Sequence, residues 1–149
     1  MKTRLVIDAS VAAKWVVTEP DSDAALALLD HELLVPDVLF GECANVLWKK
    51  VVRGELEPAV ADTAARVLLA ASVDTFPSIP LVPKALALAI LLRHPVYDCL
   101  YLALAAAENA VLVTADRRLY ARCQQVDALP LGLRIHLLGQ PAAAVPAVH

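Results

Sequence analysis

The sequence lacks the long apolar segments of a membrane protein. Among its 149 residues, no uninterrupted apolar run approaches the roughly 20 residues that span a bilayer. Lys2 and Arg4 resemble the start of a signal peptide, but Asp8 ends the apolar stretch after three residues. We therefore expect a cytoplasmic protein.

Aromatic residues are few, and the cysteines do not pair. Aromatic residues make up 5% of the chain and hydrophobic residues 59%, many of them alanine and leucine. This composition predicts one helix-rich domain with an aliphatic core. The three cysteines, Cys43, Cys99 and Cys123, form no C-x-x-C motif. We expect them to be small buried residues in a reducing compartment.

The chain also lacks the strong positive charge of a general nucleic-acid binder. Its net charge is −3 and its pI is near 5.7. Positive charge nevertheless gathers in two clusters, Lys49, Lys50 and Arg53, and Arg117, Arg118 and Arg122. Each cluster is either a solvated helix face or a group of phosphate-binding side chains.

Strand-like and helix-like segments alternate along the chain. The predicted strands are 2–8, 33–35, 73–76, 111–114 and 134–137. The predicted helices are 9–17, 24–29, 38–53, 58–72, 84–92, 98–108 and 116–124, with Asp37 as the N-cap of the third and Gly54 as its end. This alternation predicts an α/β fold with three layers, α/β/α, around a mainly parallel sheet. We expect one domain over residues 1–139 and a frayed tail over residues 140–149.

Four carboxylates stand next to apolar runs. Asp8 and Asp116 each follow a predicted strand, so both should lie where ligands bind in such folds, outside the carboxyl ends of the strands. Glu42 and Asp98 lie near the first turns of helices that could start at the same edge. Carboxylates gathered there could share a hard cation such as Mg²⁺.

Several of these side chains have a simpler structural explanation. Asp is among the best N-cap residues, so Asp98 and Asp116 could each cap a helix. Asp8 gains little structurally from its place after three apolar residues. Ser10 and Thr114 stand beside the acids and could contact a metal, contact its water, or cap a helix.

The predicted helix that contains Glu42 carries a polar stripe. Asn45, Lys49 and Arg53 follow Glu42 at intervals of 3, 7 and 11 residues, which places all four on one face. An acid, an amide and two cations in this order suit a metal ligand followed by phosphate-binding groups. A solvated stripe on an amphipathic surface helix is the alternative.

The residue types predict a hard metal ion. Acids without a histidine or cysteine cluster favour Mg²⁺ or Mn²⁺ over Zn²⁺, and such ions activate water in phosphate chemistry. His94 is a candidate general base, although a lone histidine in a turn more simply has a structural role. Tyr97 and Tyr101, on either side of Asp98, are predicted to pack.

At these residues the chain resembles the PIN-domain ribonucleases, most closely the VapC toxins of bacterial toxin–antitoxin pairs. The similarity lies in Val6-Ile7-Asp8-Ala9-Ser10-Val11, Pro36-Asp37-Val38-Leu39, Tyr97-Asp98-Cys99-Leu100-Tyr101-Leu102-Ala103-Leu104-Ala105 and Leu112-Val113-Thr114-Ala115-Asp116. The third string is the most specific, and the strings occur in the order typical of the family.

The resemblance implies a catalytic site and its partners. The metal-binding and catalytic set would be Asp8, Glu42, Asp98 and Asp116, supported by Ser10, Asn45 and Thr114. Lys49, Arg53 and Arg117 would guide RNA. The family cuts RNA with Mg²⁺, for which Mn²⁺ can substitute, and leaves a 5′-phosphate and a 3′-hydroxyl. Its members are usually homodimers that a small antitoxin inhibits.

Two other functions are compatible with parts of the sequence. The first is a non-catalytic PIN-like module that binds RNA or a protein partner, although all four acids are present. The second is a phosphatase of the haloacid dehalogenase type, which also begins with a strand ending in Asp. That family needs a second Asp two residues later, where this chain has Ser10.

Overall fold

A parallel sheet forms the centre of the molecule. The computed structural model describes residues 3–126, 129–130 and 132–140. Within them the strands are β1 Arg4–Ile7, β2 Glu32–Pro36, β3 Asp74–Phe76, β4 Val111–Thr114 and β5 Arg134–Leu137. They form one sheet in the order β3-β2-β1-β4-β5, and every neighbouring pair is parallel. The predicted α/β class with a parallel sheet is confirmed.

The connections between the strands are helical. In the described residues the α-helices are α1 Ala9–Ala12, α2 Ser22–Ala27, α3 Val38–Val52, α4 Pro58–Leu69, α5 Val82–Leu92, α6 Val96–Ala107 and α7 Arg117–Gln124. Short 3-10 helices cover Ala13–Trp15, Leu28–Asp30 and Ile79–Leu81. A helix was predicted over 9–17, but only its first four residues are α-helical.

The core is aliphatic and is centred on β1 and α6. Leu5, Val6 and Ile7 of β1 are buried, as expected for a strand covered on both faces. In α6 every residue from 99 to 105 is buried, so this helix lies inside the core rather than on the surface. The cysteines are free and buried, as predicted.

The strand order creates a crevice beside β1. From β1 the chain continues to β2 and β3 on one side and then returns to β4 on the other. In such sheets the carboxyl ends of the strands at this reversal form the usual ligand site. Ile7 pairs with Val113, so the residues that follow them, Asp8 and Thr114, lie next to each other at that edge.

The two ends of α3 can be compared with the prediction. The predicted end of α3 is confirmed, because Gly54 has a φ of +73° and its N–H bonds to Val51. Asp37 occupies the predicted N-cap position of α3, but its side chain makes no capping hydrogen bond. Its carboxylate instead accepts hydrogen bonds from the backbone N–H and the hydroxyl of Ser78, which tie it to the segment after β3.

Across the described residues, no single helix is long and apolar enough to cross a membrane. The segments Ile79–Leu92 and Val96–Ala107 reach that length and composition only as a pair, with a bend of 115° between them. The predicted tail over 140–149 lies outside the described residues except for Gln140, so the domain boundary stays a prediction.

Candidate active site

Asp8 ends β1 and begins α1. It occupies the N-cap position of α1, and its Oδ1 accepts a hydrogen bond of 3.2 Å from the N–H of Val11. The expectation that Asp8 gains little structurally is therefore wrong, because it satisfies an N–H that the helix leaves open. It is only 6% exposed. A buried carboxylate of this kind needs further partners.

Two hydroxyl groups supply those partners. Ser10 Oγ donates to Asp8 Oδ1 at 2.5 Å, and Thr114 Oγ1 donates to Asp8 Oδ2. The same oxygens accept backbone N–H groups after β4, Ser10 Oγ from Ala115 and Thr114 Oγ1 from Asp116. The two hydroxyls thus connect the ends of β1 and β4. Neither residue is an N-cap, so that alternative is excluded.

Burial dominates the ionisation of Asp8. It raises the pKa of this carboxyl from 3.8 to about 6. The hydrogen bonds from Ser10, Thr114 and the Val11 N–H act in the opposite direction, because they favour the charged form. The negative charge of Asp98 adds to the rise, which indicates that the two acids are close.

Glu42 projects from the first turns of α3 toward α6. Tyr101 donates from its hydroxyl to Glu42 Oε1 at 2.9 Å. The pKa of Glu42 is raised, first by burial and also by the charge of Asp98, while the tyrosine hydrogen bond opposes the rise. Burial likewise raises the pKa of Tyr101, so its hydroxyl remains a donor. This role was missed in the sequence, although Tyr101 lies three residues after Asp98 on the same helix face.

Asp98 lies in the first turn of α6 and does not cap it. Pro95 occupies the N-cap position, so the capping alternative for Asp98 is wrong. A negative charge in the first turn stabilises the helix, because it interacts favourably with the positive end of the helix dipole. Its Oδ2 lies 2.6 Å from His94 Nε2. Ligand atoms of His94, Asp98 and Asp116 lie within 4.8 Å of one another.

Asp116 combines a capping role with a place at the site. It is the N-cap of α7, as the capping alternative predicted, and its Oδ1 accepts from the N–H groups of Arg118 and Leu119. Both bonds use one oxygen, and Oδ2 accepts no hydrogen bond from the described residues. Capping therefore does not prevent Asp116 from contacting a cation.

An open groove of about 740 Å³ brings the acids together. The predicted site residues that line it are Asp8, Ser10, Glu42, Asn45, Lys49, Asp98 and Asp116. Thr114 is fully buried behind Asp8. Tyr97 also lines the groove and is 63% exposed, so the prediction that it packs is wrong.

The predicted RNA-guiding cations do not all reach this groove. Lys49 lines it, and the described residues offer this side chain no ion-pair partner. Arg53 lies at the C-cap of α3, outside the lining. Arg117 is also outside the lining and lies near Asp21, whose pKa is lowered first by Lys14 and also by the charge of Arg117.

Comparison with known proteins agrees with this architecture. The PIN domain family matches residues 5–124. Ribonuclease VapC3 of Pyrobaculum aerophilum is 34% identical over 122 residues, which cover 78% of this chain and 92% of that protein. The chain therefore belongs to the PIN-domain family.

Solved structures show the same fold. The Mycobacterium tuberculosis toxin VapC20, described as cleaving the sarcin–ricin loop, aligns with a TM-score of 0.62 at 16% identity, over 78% of this chain and 93% of that one. VapBC2 of Rickettsia felis, bound to a DNA fragment from its promoter, aligns with a TM-score of 0.62 at 14% identity, over 91% of this chain and 98% of that one.

Proposed function

We propose that this chain is a metal-dependent endoribonuclease that hydrolyses RNA phosphodiester bonds and acts as the toxin of a toxin–antitoxin pair. The observation that carries the proposal is the meeting of four carboxylates, from four separate elements, at one groove on the carboxyl edge of a PIN-domain sheet. The relative from Pyrobaculum aerophilum, a ribonuclease, supports the choice of RNA as the substrate.

The donor set fits a divalent cation. Within the described part of the chain, no lysine or arginine forms an ion pair with any of the four acids, Asp8, Glu42, Asp98 and Asp116. The one basic side chain that contacts them there is His94, which lies against Asp98. Burial raises the pKa values of Asp8 and Glu42, and the charge of Asp98 adds to both rises. A cation bound at the groove would favour the charged form of both acids. Carboxylate oxygens are ligands that Mg²⁺ prefers, and Mn²⁺ accepts the same set.

Each acid would have a distinct part. Asp8, Glu42 and Asp98 would hold the main ion, and Asp116 would complete the site or help to hold a second ion. Bound Mg²⁺ supplies positive charge that makes attack by water and departure of the leaving oxygen easier. Ser10 and Thr114 fix the orientation of Asp8, as Tyr101 fixes that of Glu42.

The groove also offers groups that suit an RNA strand. Lys49 lies on its wall one turn beyond Asn45, where an ammonium group can bind a phosphate. The exposed ring of Tyr97 lies beside Asp98, where a base can stack on it. Arg53 and Arg117 would act farther along the strand, since neither lines the groove.

An antitoxin would be the protein partner in this proposal. The structural similarity to VapBC2 supports it, and the compartment would be the cytoplasm, where three free thiols remain reduced. The identity of the antitoxin would follow from which neighbouring gene product copurifies with the chain.

A homodimer is also part of the proposal, and α5 is the face that we assign to it. Val82, Leu86 and Ile90 repeat every four residues on this helix and are 47%, 53% and 70% exposed. Because the stripe carries no charge, two copies can meet around a twofold axis without opposing like charges.

Leu86→Glu should yield monomers in analytical ultracentrifugation, whereas Leu69→Glu on α4, 66% exposed, should leave dimers. Dimers that persist in Leu86→Glu would refute this face.

RNA cleavage with defined metals tests the central proposal. Purified protein should cut RNA in Mg²⁺ or Mn²⁺ and not in EDTA, and its products should carry 5′-phosphates. Asp98→Asn should remove the activity while retaining the fold, because the amide keeps the shape but loses the charge. Asp30→Asn, an exposed acid outside the groove, is the matched control and should cleave normally.

Two outcomes would count against the proposal. Full cleavage by Asp98→Asn would exclude the acid cluster as the metal site. Binding of RNA by the wild-type protein without cleavage in any metal would favour the non-catalytic module instead.

A further inference from the structure

The imidazole of His94 is the fixed member of its pair with Asp98. His94 Nε2 and Asp98 Oδ2 are 2.6 Å apart, and the histidine side chain is 3% exposed while that of Asp98 is 32% exposed. Asp98 lines the groove and His94 lies behind it. The more rigid ring can therefore restrict the rotation of the more exposed carboxylate.

The backbone around His94 is itself restricted. α5 ends at Arg93 in the left-handed conformation, with a φ of 52°, and the N–H of His94 bonds to the carbonyl of Ala89 at 3.2 Å. Pro95 follows, and its ring fixes φ near −54° before α6 begins. The imidazole thus enters the core from a well-defined turn.

The surroundings of the two ring nitrogens determine where the proton lies. Nδ1 is buried, and no described residue offers it a hydrogen-bond partner. A proton on Nδ1 would leave that N–H unsatisfied and would direct the Nε2 lone pair at a carboxylate oxygen 2.6 Å away. A proton on Nε2 donates to Asp98 and leaves only a lone pair without a partner. The second tautomer is favoured.

We propose that His94 is a positioning residue whose Nε2–H holds the Asp98 carboxylate for the cation, and that it is not a metal ligand. The inference rests on the proposed nuclease function. To bind an ion through Nε2, the ring would have to carry its proton on Nδ1, where ligating histidines normally find an acceptor and His94 has none among the described residues. Loss of such a supporting partner commonly weakens metal binding or activity roughly 10- to 100-fold.

Three substitutions separate the donor from the packing. His94→Gln places an amide N–H near the position of Nε2, His94→Asn places one near Nδ1, and His94→Leu fills a similar volume without a donor. We expect Mn²⁺ affinity of the RNA-free protein, measured by electron paramagnetic resonance, to fall roughly 10- to 100-fold in the Leu and Asn variants. The Gln variant should stay near the wild-type affinity.

A measurement of stability shows whether the Leu variant keeps its packing, which is the control that the affinity comparison needs. His94→Leu removes the unpartnered Nδ1, so its free energy of unfolding without metal should equal or exceed that of the wild type. A histidine that only packs would leave Mn²⁺ affinity unchanged in a folded Leu variant, and that result would overturn the inference while leaving the nuclease proposal intact.

The tautomer can be observed directly. Nitrogen-15 spectra of the imidazole ring should show the proton on Nε2 in the metal-free protein and again at saturating Mg²⁺. Loss of the Nε2 proton on adding Mg²⁺ would identify His94 as a ligand and overturn the inference. A wild-type protein that binds no Mn²⁺ would refute the nuclease proposal itself, together with the role assigned to His94.

Discussion

Asp8→Asn should make the metal-free protein more stable at neutral pH. The pKa of Asp8 is about 6 in the folded protein, against 3.8 for an ordinary aspartate. The folded state therefore holds this proton more tightly than the unfolded chain, and stability falls as the pH rises between these two values. At pH 7.5 the buried charge costs about 3 kcal/mol, and at pH 4.5 it costs about 1 kcal/mol.

An asparagine removes this cost but disturbs the hydrogen bonds. Its carbonyl can still accept from the N–H of Val11, since Asn is also a good N-cap. The carbonyl then also keeps the hydrogen bond from Ser10, which uses the same oxygen, and the amide replaces Oδ2, the acceptor of Thr114, at a cost of about 1 kcal/mol. The net expectation is a gain of about 2 kcal/mol at pH 7.5 and almost none at pH 4.5.

Urea unfolding in EDTA at the two pH values measures the effect. A gain of about 2 kcal/mol would also raise the melting temperature by roughly 4–8 °C. Adding Mn²⁺ should stabilise the wild type and not the variant, because only the wild type retains the charged ligand. An Asp8→Asn variant that is less stable than the wild type at both pH values would refute the reasoning that burial dominates this carboxyl.

Three further predictions concern single side chains. Tyr101→Phe removes the hydrogen bond to Glu42 and should raise the pKa of that acid further, cost about 1 kcal/mol of stability, and shift the onset of cleavage to higher pH in a pH–rate profile. Lys49→Gln should raise KM for RNA and reduce the salt dependence of binding by about one phosphate contact, whereas Lys50→Gln, which breaks ion pairs to two glutamates, should leave the salt dependence unchanged. Gly54→Ala should lower the free energy of unfolding by about 1 kcal/mol in urea titrations, because alanine is strained at a φ of +73°. An unchanged pH–rate profile would contradict the prediction for Tyr101→Phe. An equal change of salt dependence in both lysine variants would contradict the second prediction, and an unchanged free energy of unfolding in Gly54→Ala the third.

Much of the fold could be predicted because its signals are local. The strand over 111–114 and the ends of α3 and α7 follow from short apolar runs, a glycine and an N-cap. The starts of α5 and α6 were predicted two residues too late, since the prolines near them were assigned to turns although proline is favoured at the beginning of a helix. The short helix after β1 was predicted too long, because its apolar residues pack as a 3-10 turn.

Long-range contacts decided what could not be predicted in the site. Thr114 reaches Asp8 across 106 positions of sequence, and Tyr101 reaches Glu42 across 59. The hydrophobic periodicity of the sequence does not predict such contacts, because they depend on how α6 and β4 pack beside β1. The same packing explains why Lys49 lines the groove and Arg53 does not, although both were predicted on one helix face.

Residues close together in the chain are enough to predict the α/β class, the PIN-domain strings and the placement of acids after strands, because each of these leaves a local signal. Only the tertiary structure decided that Asp8 is buried with a raised pKa, that Tyr101 and His94 support two of the acids, and that Lys49 alone of the three expected cations lines the groove. Burial and hydrogen bonding between distant elements arise only when the chain packs, and these set the charge and geometry of the site.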